Sequence, residues 1–138
     1  MTRKIDHIAI AVRDIDAAAR FYQEHLGLEV TGRETVTQRQ VRVAFIQLGA
    51  TRIELVQPDS PESPIAKFLE KHGPGLHHVC LEVDDIAAEL SRMGAAGVKL
   101  IDSAPRAGAH GNLTGFIHPA AADGVLVELV QSAADSSH

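Results

Sequence analysis

The chain repeats itself. Ile5-Asp6-His7-Ile8-Ala9-Ile10-Ala11-Val12-Arg13-Asp14-Ile15 and Leu76-His77-His78-Val79-Cys80-Leu81-Glu82-Val83-Asp84-Asp85-Ile86 superimpose at an offset of 71 residues, which sets His7 on His78, Val12 on Val83, Asp14 on Asp85 and Ile15 on Ile86. Ile53-Glu54-Leu55-Val56-Gln57 returns as Val127-Glu128-Leu129-Val130-Gln131 at an offset of 74 residues. A solenoid needs at least about three repeats to bury its faces, so two copies point to one fold built from paired modules. Each module opens near a histidine and closes near a glutamate. If the copies are related by a pseudo-two-fold axis, two imidazoles and two carboxylates can converge on one point, and that convergence would make a metal site.

Composition narrows the possibilities. At 138 residues and 45% apolar content, the chain is one domain's worth and long enough to bury a real core. No apolar run approaches the roughly 20 residues of a membrane span. The N-terminus runs directly into a strand-like pattern, with no apolar signal-peptide region. A lone cysteine, Cys80, rules out an internal disulfide and fits a reducing cytoplasm. Its apolar neighbours mark it as a buried thiol rather than a nucleophile. A net charge of −5, with no basic stripe interleaved with aromatics, argues against nucleic-acid binding. The glycines at 108, 111 and 115 are not followed by the helix that a phosphate-binding loop or dinucleotide fingerprint requires. No Gly-x-Ser-x-Gly or Cys/His pair supplies a covalent nucleophile.

Periodicity places the elements. Module one, residues 4–57, reads β-α-β-β-β: a strand over 5–12, a helix from about 15 to 25 behind an Asp14 N-cap, and strands over 28–34, 41–48 and 51–57. Gly27 is the helix stop. Residues 58–75 form a connector, with prolines at 58, 61 and 64, a helical stretch over 65–71 and then Gly73-Pro74-Gly75. Module two, residues 76–131, opens with a strand and continues in a helix from Ile86 to about Met93, capped by Asp84 or Asp85 and ended by Gly94 and Gly97. A strand over 98–101, a loop over 102–111 and strands near 112–118 and 125–131 complete it. The expectation is a single domain over 1–131 with a frayed polar tail at 132–138. Alternation sets His7, Ala9 and Ala11 opposite Ile8, Ile10 and Val12, and His78, Cys80 and Glu82 opposite Val79, Leu81 and Val83. On the strand over 51–57, Arg52, Glu54 and Val56 oppose Ile53, Leu55 and Gln57.

His7, Glu54, His78 and Glu128 are each the polar exception in an apolar strand. A buried carboxylate costs several kcal/mol unless it is paired or bound to a cation, and two of them together repel. A divalent metal removes both problems. Imidazole and carboxylate donors suit Zn, Co, Ni, Mn or Fe without choosing among them. Taken singly, each residue reads as an ordinary structural side chain. Their matched places in the repeat are what favour a shared role. Of the other histidines, His77 points to the opposite face and reads as packing, while His72 and His138 lie in polar ends. His110, in a glycine-rich loop, and His118, beside Pro119, fit either a substrate contact or a loop-structural role.

Paired β-α-β-β-β modules with these donors resemble the vicinal oxygen chelate (glyoxalase/bleomycin-resistance) superfamily, and within it most closely the methylmalonyl-CoA epimerases. The resemblance covers roughly residues 4–131. It is carried by Ile5-Asp6-His7-Ile8-Ala9-Ile10-Ala11-Val12, Arg20-Phe21-Tyr22, Leu26-Gly27-Leu28, Thr51-Arg52-Ile53-Glu54-Leu55, Ser63-Pro64-Ile65-Ala66-Lys67-Phe68-Leu69 and Gly108-Ala109-His110-Gly111. The more family-specific segments are Gly75-Leu76-His77-His78-Val79 and His118-Pro119 with Gly124-Val125-Leu126-Val127-Glu128-Leu129.

The resemblance implies an α+β fold and a divalent metal (Co, Zn, Ni or Mn) held by His7, Glu54, His78 and Glu128. It also implies an acyl-CoA substrate, a cytoplasmic homodimer, and 1,1-proton transfer through a metal-stabilised enediolate. Glu128 is the first candidate acid/base. Some similar epimerases carry a second glutamate on the strand corresponding to 41–46, where this chain has Val41-Arg42-Val43-Ala44-Phe45-Ile46. Glu54 or a metal-bound water is then the expected second group. The family's lysine after His-Pro is Ala120 here. A glyoxalase I could use the same four ligands, and a non-catalytic binding module of this fold would need no metal. A racemisation assay set against a methylglyoxal–glutathione assay separates the first two.

Overall fold

A computed structural model describes residues 2–133. The expected frayed tail lies outside the described residues from 134 onward. Just before it, the Ala133 amide donates to Asn112 Oδ1 at 3.0 Å.

The described residues form strands β1 (Thr2–Ala11), β2 (Gly32–Val36), β3 (Val41–Leu48), β4 (Thr51–Pro58), β5 (Gly75–Val83), β6 (Arg106–Ala107), β7 (Leu113–Ile117) and β8 (Val127–Gln131). The helices are α1 (Ile15–Leu26), α2 (Pro64–His72) and α3 (Ile86–Ala95). The class is α+β, as the resemblance implied. Among the described residues, no helix is long and apolar enough to cross a membrane.

The chain divides into two compact units. One is His7–His77; the other joins the residues before His7 to those from His78 onward. In the first, the strands run β2-β3-β4-β1, with β1 and β4 parallel and the other pairs antiparallel. In the second, β5-β8-β7-β6 follows the same plan, with β5 and β8 parallel.

Helices α1 and α3 are fixed to the strands of their own units in the same manner. Asp14 accepts from the amides of Asp16 and Ala17 at the start of α1, and Asp85 accepts from Ala88 at the start of α3. A glutamine at the end of the last strand takes the first helical amide. Ile15 N–H donates to Gln57 Oε1 at 3.0 Å, and Ile86 N–H donates to Gln131 Oε1 at 2.9 Å. These bonds satisfy donors that a helix N-terminus leaves open.

Beneath each helix lies a core of matching positions. Val12, Ile15, Ala19, Ala44, Ile46 and Leu55 fill the first. Val83, Ile86, Leu90, Ile117 and Leu129 fill the second. The apolar stripe of each helix and the branched face of each strand meet there, as alternation predicts.

Three elements depart from the sequence-based expectation. The strand expected over 28–34 starts only at Gly32, because the Leu28 amide is spent on the carbonyl of Tyr22 at the C-terminus of α1. Leu28 and Val30 instead pack as loop residues against the first core. Helix α3 passes through Gly94 to Ala95, and Gly97 (φ 85°) makes the left-handed turn. No strand forms over 98–101, which contributes a single bridge, Leu100 to Ile117. There the Phe116 carbonyl accepts from both Ile101 and Asp102, and the Phe116 amide is taken by Asp102 Oδ2 at 2.8 Å. One residue's backbone groups are thus held out of a regular ladder, and the edge is taken up by the two-residue β6.

Candidate functional site

Each unit positions one histidine and one glutamate on its parallel strand pair. In the first unit, Ala9 on β1 sits opposite Glu54 on β4, so His7 lies two residues before the glutamate's rung on the same face. In the second, Cys80 on β5 sits opposite Glu128 on β8, and His78 lies two residues before that rung. The separations in sequence differ, yet the register is the same. His7 Nδ1 is 3.2 Å from Glu54 Oε2, and His78 Nε2 is 3.0 Å from Glu128 Oε1. All four side chains are at most 9% exposed. Cys80 is fully buried, as its neighbours predicted.

The antiparallel neighbours add a phenylalanine to each pair. Phe45 on β3 stands directly across from Glu54, and Phe116 on β7 stands directly across from Glu128. These two residues are separated by the same 71 positions as the histidines. That spacing was available in the sequence and is the signal that identifies them. The Phe116 ring packs edge-on against His78, with centroids 5.0 Å apart and an interplanar angle of 88°. Phe45 instead lies beneath Arg52, whose guanidinium carbon is 5.8 Å from the ring centroid.

Arg52 lies on the face with Glu54 that alternation assigns, and Glu54 is its partner. Its Nη2 donates to Glu54 Oε2 at 3.1 Å, and its Nε lies 3.4 Å from the same oxygen. Glu54 is therefore held by a cation as well as by an imidazole, which offsets much of the cost of burying it.

His77, His118 and His110 fall outside these pairs. His77 packs edge-on to Phe68 at 4.8 Å, on the side alternation assigned to it. His118 accepts the Ala120 amide on Nδ1 at 3.0 Å and caps a short turn, a structural role. His110 is exposed and holds φ at 58°, in a loop where a Cβ on Gly108 would stand 2.6 Å from Thr114 Cγ2. Strand β3 presents Val43 and Phe45 on the face of Glu54 and no acid over 41–46.

Buried imidazole and carboxylate donors at one register are the chemistry of a divalent-cation site. Residues 6–116 match the family model described as the glyoxalase/bleomycin resistance protein/dioxygenase superfamily. The chain is 45% identical, over 95% of its length and 99% of the relative's, to the ethylmalonyl-CoA/methylmalonyl-CoA epimerase of Cereibacter sphaeroides. It is 40% identical to the human mitochondrial methylmalonyl-CoA epimerase, over 94% of this chain and 74% of that one. Among solved structures, Streptomyces coelicolor methylmalonyl-CoA epimerase in complex with 2-nitronate-propionyl-CoA superimposes with a TM-score of 0.93. It is 36% identical, and the match covers 97% of both chains.

Proposed function

The chain belongs to the glyoxalase/bleomycin resistance protein/dioxygenase superfamily, and from that premise we propose that it is a metal-dependent epimerase interconverting the two C2 epimers of methylmalonyl-CoA. Similarity to the epimerases over nearly the whole chain supports the substrate. The observation that carries the reading is the duplicated His–Glu pair, set at one register in both units and buried in both.

His7, Glu54, His78 and Glu128 would hold one divalent ion together; Co, Zn, Ni and Mn all suit this donor set. When bound, such an ion supplies a Lewis acid that draws the negative charge developing on the thioester oxygen as the C2 proton leaves. The protein's own groups handle the proton. Glu128 takes it from C2 on one face. Its Oε1 lies 3.0 Å from His78 Nε2, so the two donors stand side by side. Inversion needs a second group on the opposite face. Glu54 is proposed for it, since β3 offers no acid at its side. The same reading takes the assembly to be a homodimer and the compartment the cytoplasm, the latter in keeping with a single cysteine in the chain.

Solvent deuterium exchange tests the proposal. Methylmalonyl-CoA incubated with the protein in heavy water should acquire deuterium at C2, and Glu128→Ala should abolish that exchange. Undiminished exchange in the variant would remove Glu128 from the proton-transfer role.

A further inference from the structure

The first half-site contains a charge that the second lacks. Arg52 stands two residues before Glu54, and the corresponding residue two before Glu128 is Leu126. Arg52 is no surface side chain laid over an acid by chance. Its side chain is only 20% exposed, its guanidinium rests on the Phe45 ring, and two of its nitrogens converge on one carboxylate oxygen, Oε2 of Glu54. His7 Nδ1 meets that same oxygen. A planar guanidinium stacked on an aromatic face has little freedom to leave such a position.

We propose that Arg52 is a positioning residue that converts Glu54 into a charge-neutral oxygen donor. With Oε2 committed to Arg52, Glu54 would offer a bound cation a carboxylate whose charge has already been matched. Electrostatically, the Arg52–Glu54 pair is one neutral oxygen ligand, whereas Glu128 brings a full negative charge. The two glutamates are then unequal partners: Glu54 adds little net charge to the cation and is the weaker proton acceptor, and Glu128 brings the full charge and takes the C2 proton. This inference rests on the epimerase reading and adds a division of labour to it.

Coulomb's law fixes the signs of the test. Removing Arg52 leaves an unmatched carboxylate beside the cation, so Arg52→Leu should hold Co²⁺ about tenfold or more tightly in competition with a chelator. Because the extra donated charge weakens the Lewis acid, its kcat should fall by a similar factor. Glu54→Gln leaves the guanidinium unmatched and should bind Co²⁺ about 10–100-fold more weakly. The double variant Arg52→Leu/Glu54→Gln again presents a neutral oxygen and should return both quantities to within about threefold of wild type, a strong departure from additivity. Arg52→Lys keeps the charge and should stay near wild type.

A merely structural Arg52 gives a different pattern. Arg52→Leu would then lose Co²⁺ affinity and kcat together, or the double variant would be as poor as the product of the singles; either result overturns the inference. Failure of the epimerase reading looks different again, since the wild-type protein would then bind no Co²⁺ and exchange no C2 proton.

Discussion

The two halves of the molecule share register and differ in side chains. Both place a histidine two residues before the rung of a glutamate and a phenylalanine across from that glutamate. Around this frame the residues have changed. Under α1 the core uses Ala19 and Ala44. At the same places under α3 stand Leu90 and Gly115. A Cβ built on Gly115 would lie 2.9 Å from Leu90 Cδ1, so the leucine fills the space that Ala44's methyl occupies in the other half. A packed core fixes summed volume rather than individual residues. Beside the glutamates, Arg52 has become Leu126, and its partner ring Phe45 corresponds to Phe116, which packs on a histidine instead. The repeat thus preserves where donors stand and lets their electrostatic surroundings diverge.

Swapping the volumes back is the strongest test of this equivalence. Leu90→Ala should cost about 2–5 kcal/mol in denaturant unfolding, through the cavity it leaves. Gly115→Ala alone should cost about 1–3 kcal/mol by overpacking against Leu90. The double variant reproduces the Ala19/Ala44 arrangement and should be more stable than Leu90→Ala. Additive costs, to within about 0.5 kcal/mol, would show that the two positions do not trade volume.

A smaller effect is expected at the strand ends. Gln57→Ala and Gln131→Ala each remove the acceptor for the first helical amide and should each cost about 1 kcal/mol. Costs differing by more than about 1 kcal/mol would mean the two helices are not held alike.

The smallest effect lies on α3 itself. Arg92, 2.7 Å from Glu89, holds that carboxyl below its ordinary value of 4.5. A depressed folded-state value stabilises the protein above pH 4.5, and the contribution fades as pH falls through the folded value. Arg92 is largely exposed, so the pair is worth only about 0.3–0.5 kcal/mol. Glu89→Gln should therefore lower stability slightly at pH 7 and match wild type at pH 3.

Much of this architecture can be read directly from the residues. Alternation alone separates His7 and Glu54 from Ile8, Ile53 and Leu55, and Asp14, Asp85 and Gly27 announce helix ends through side-chain chemistry that acts locally. What stayed hidden depends on partners distant in sequence. The loss of the strand at 98–101 follows from Asp102 capturing the Phe116 amide, fourteen residues away. The late start of β2 follows from Tyr22 claiming the Leu28 amide. The pairing of Arg52 with Glu54 and Phe45 needs three side chains in place at once, although the 71-residue spacing of Phe45 and Phe116 was there to be seen.

The proposed function requires the two His–Glu pairs to act on one ion. Elemental analysis of the purified protein, beside His7→Ala and His78→Ala, tests this directly. One divalent ion per wild-type chain is expected, with its loss from either variant. Two ions per chain, or one retained in full after either substitution, would contradict it.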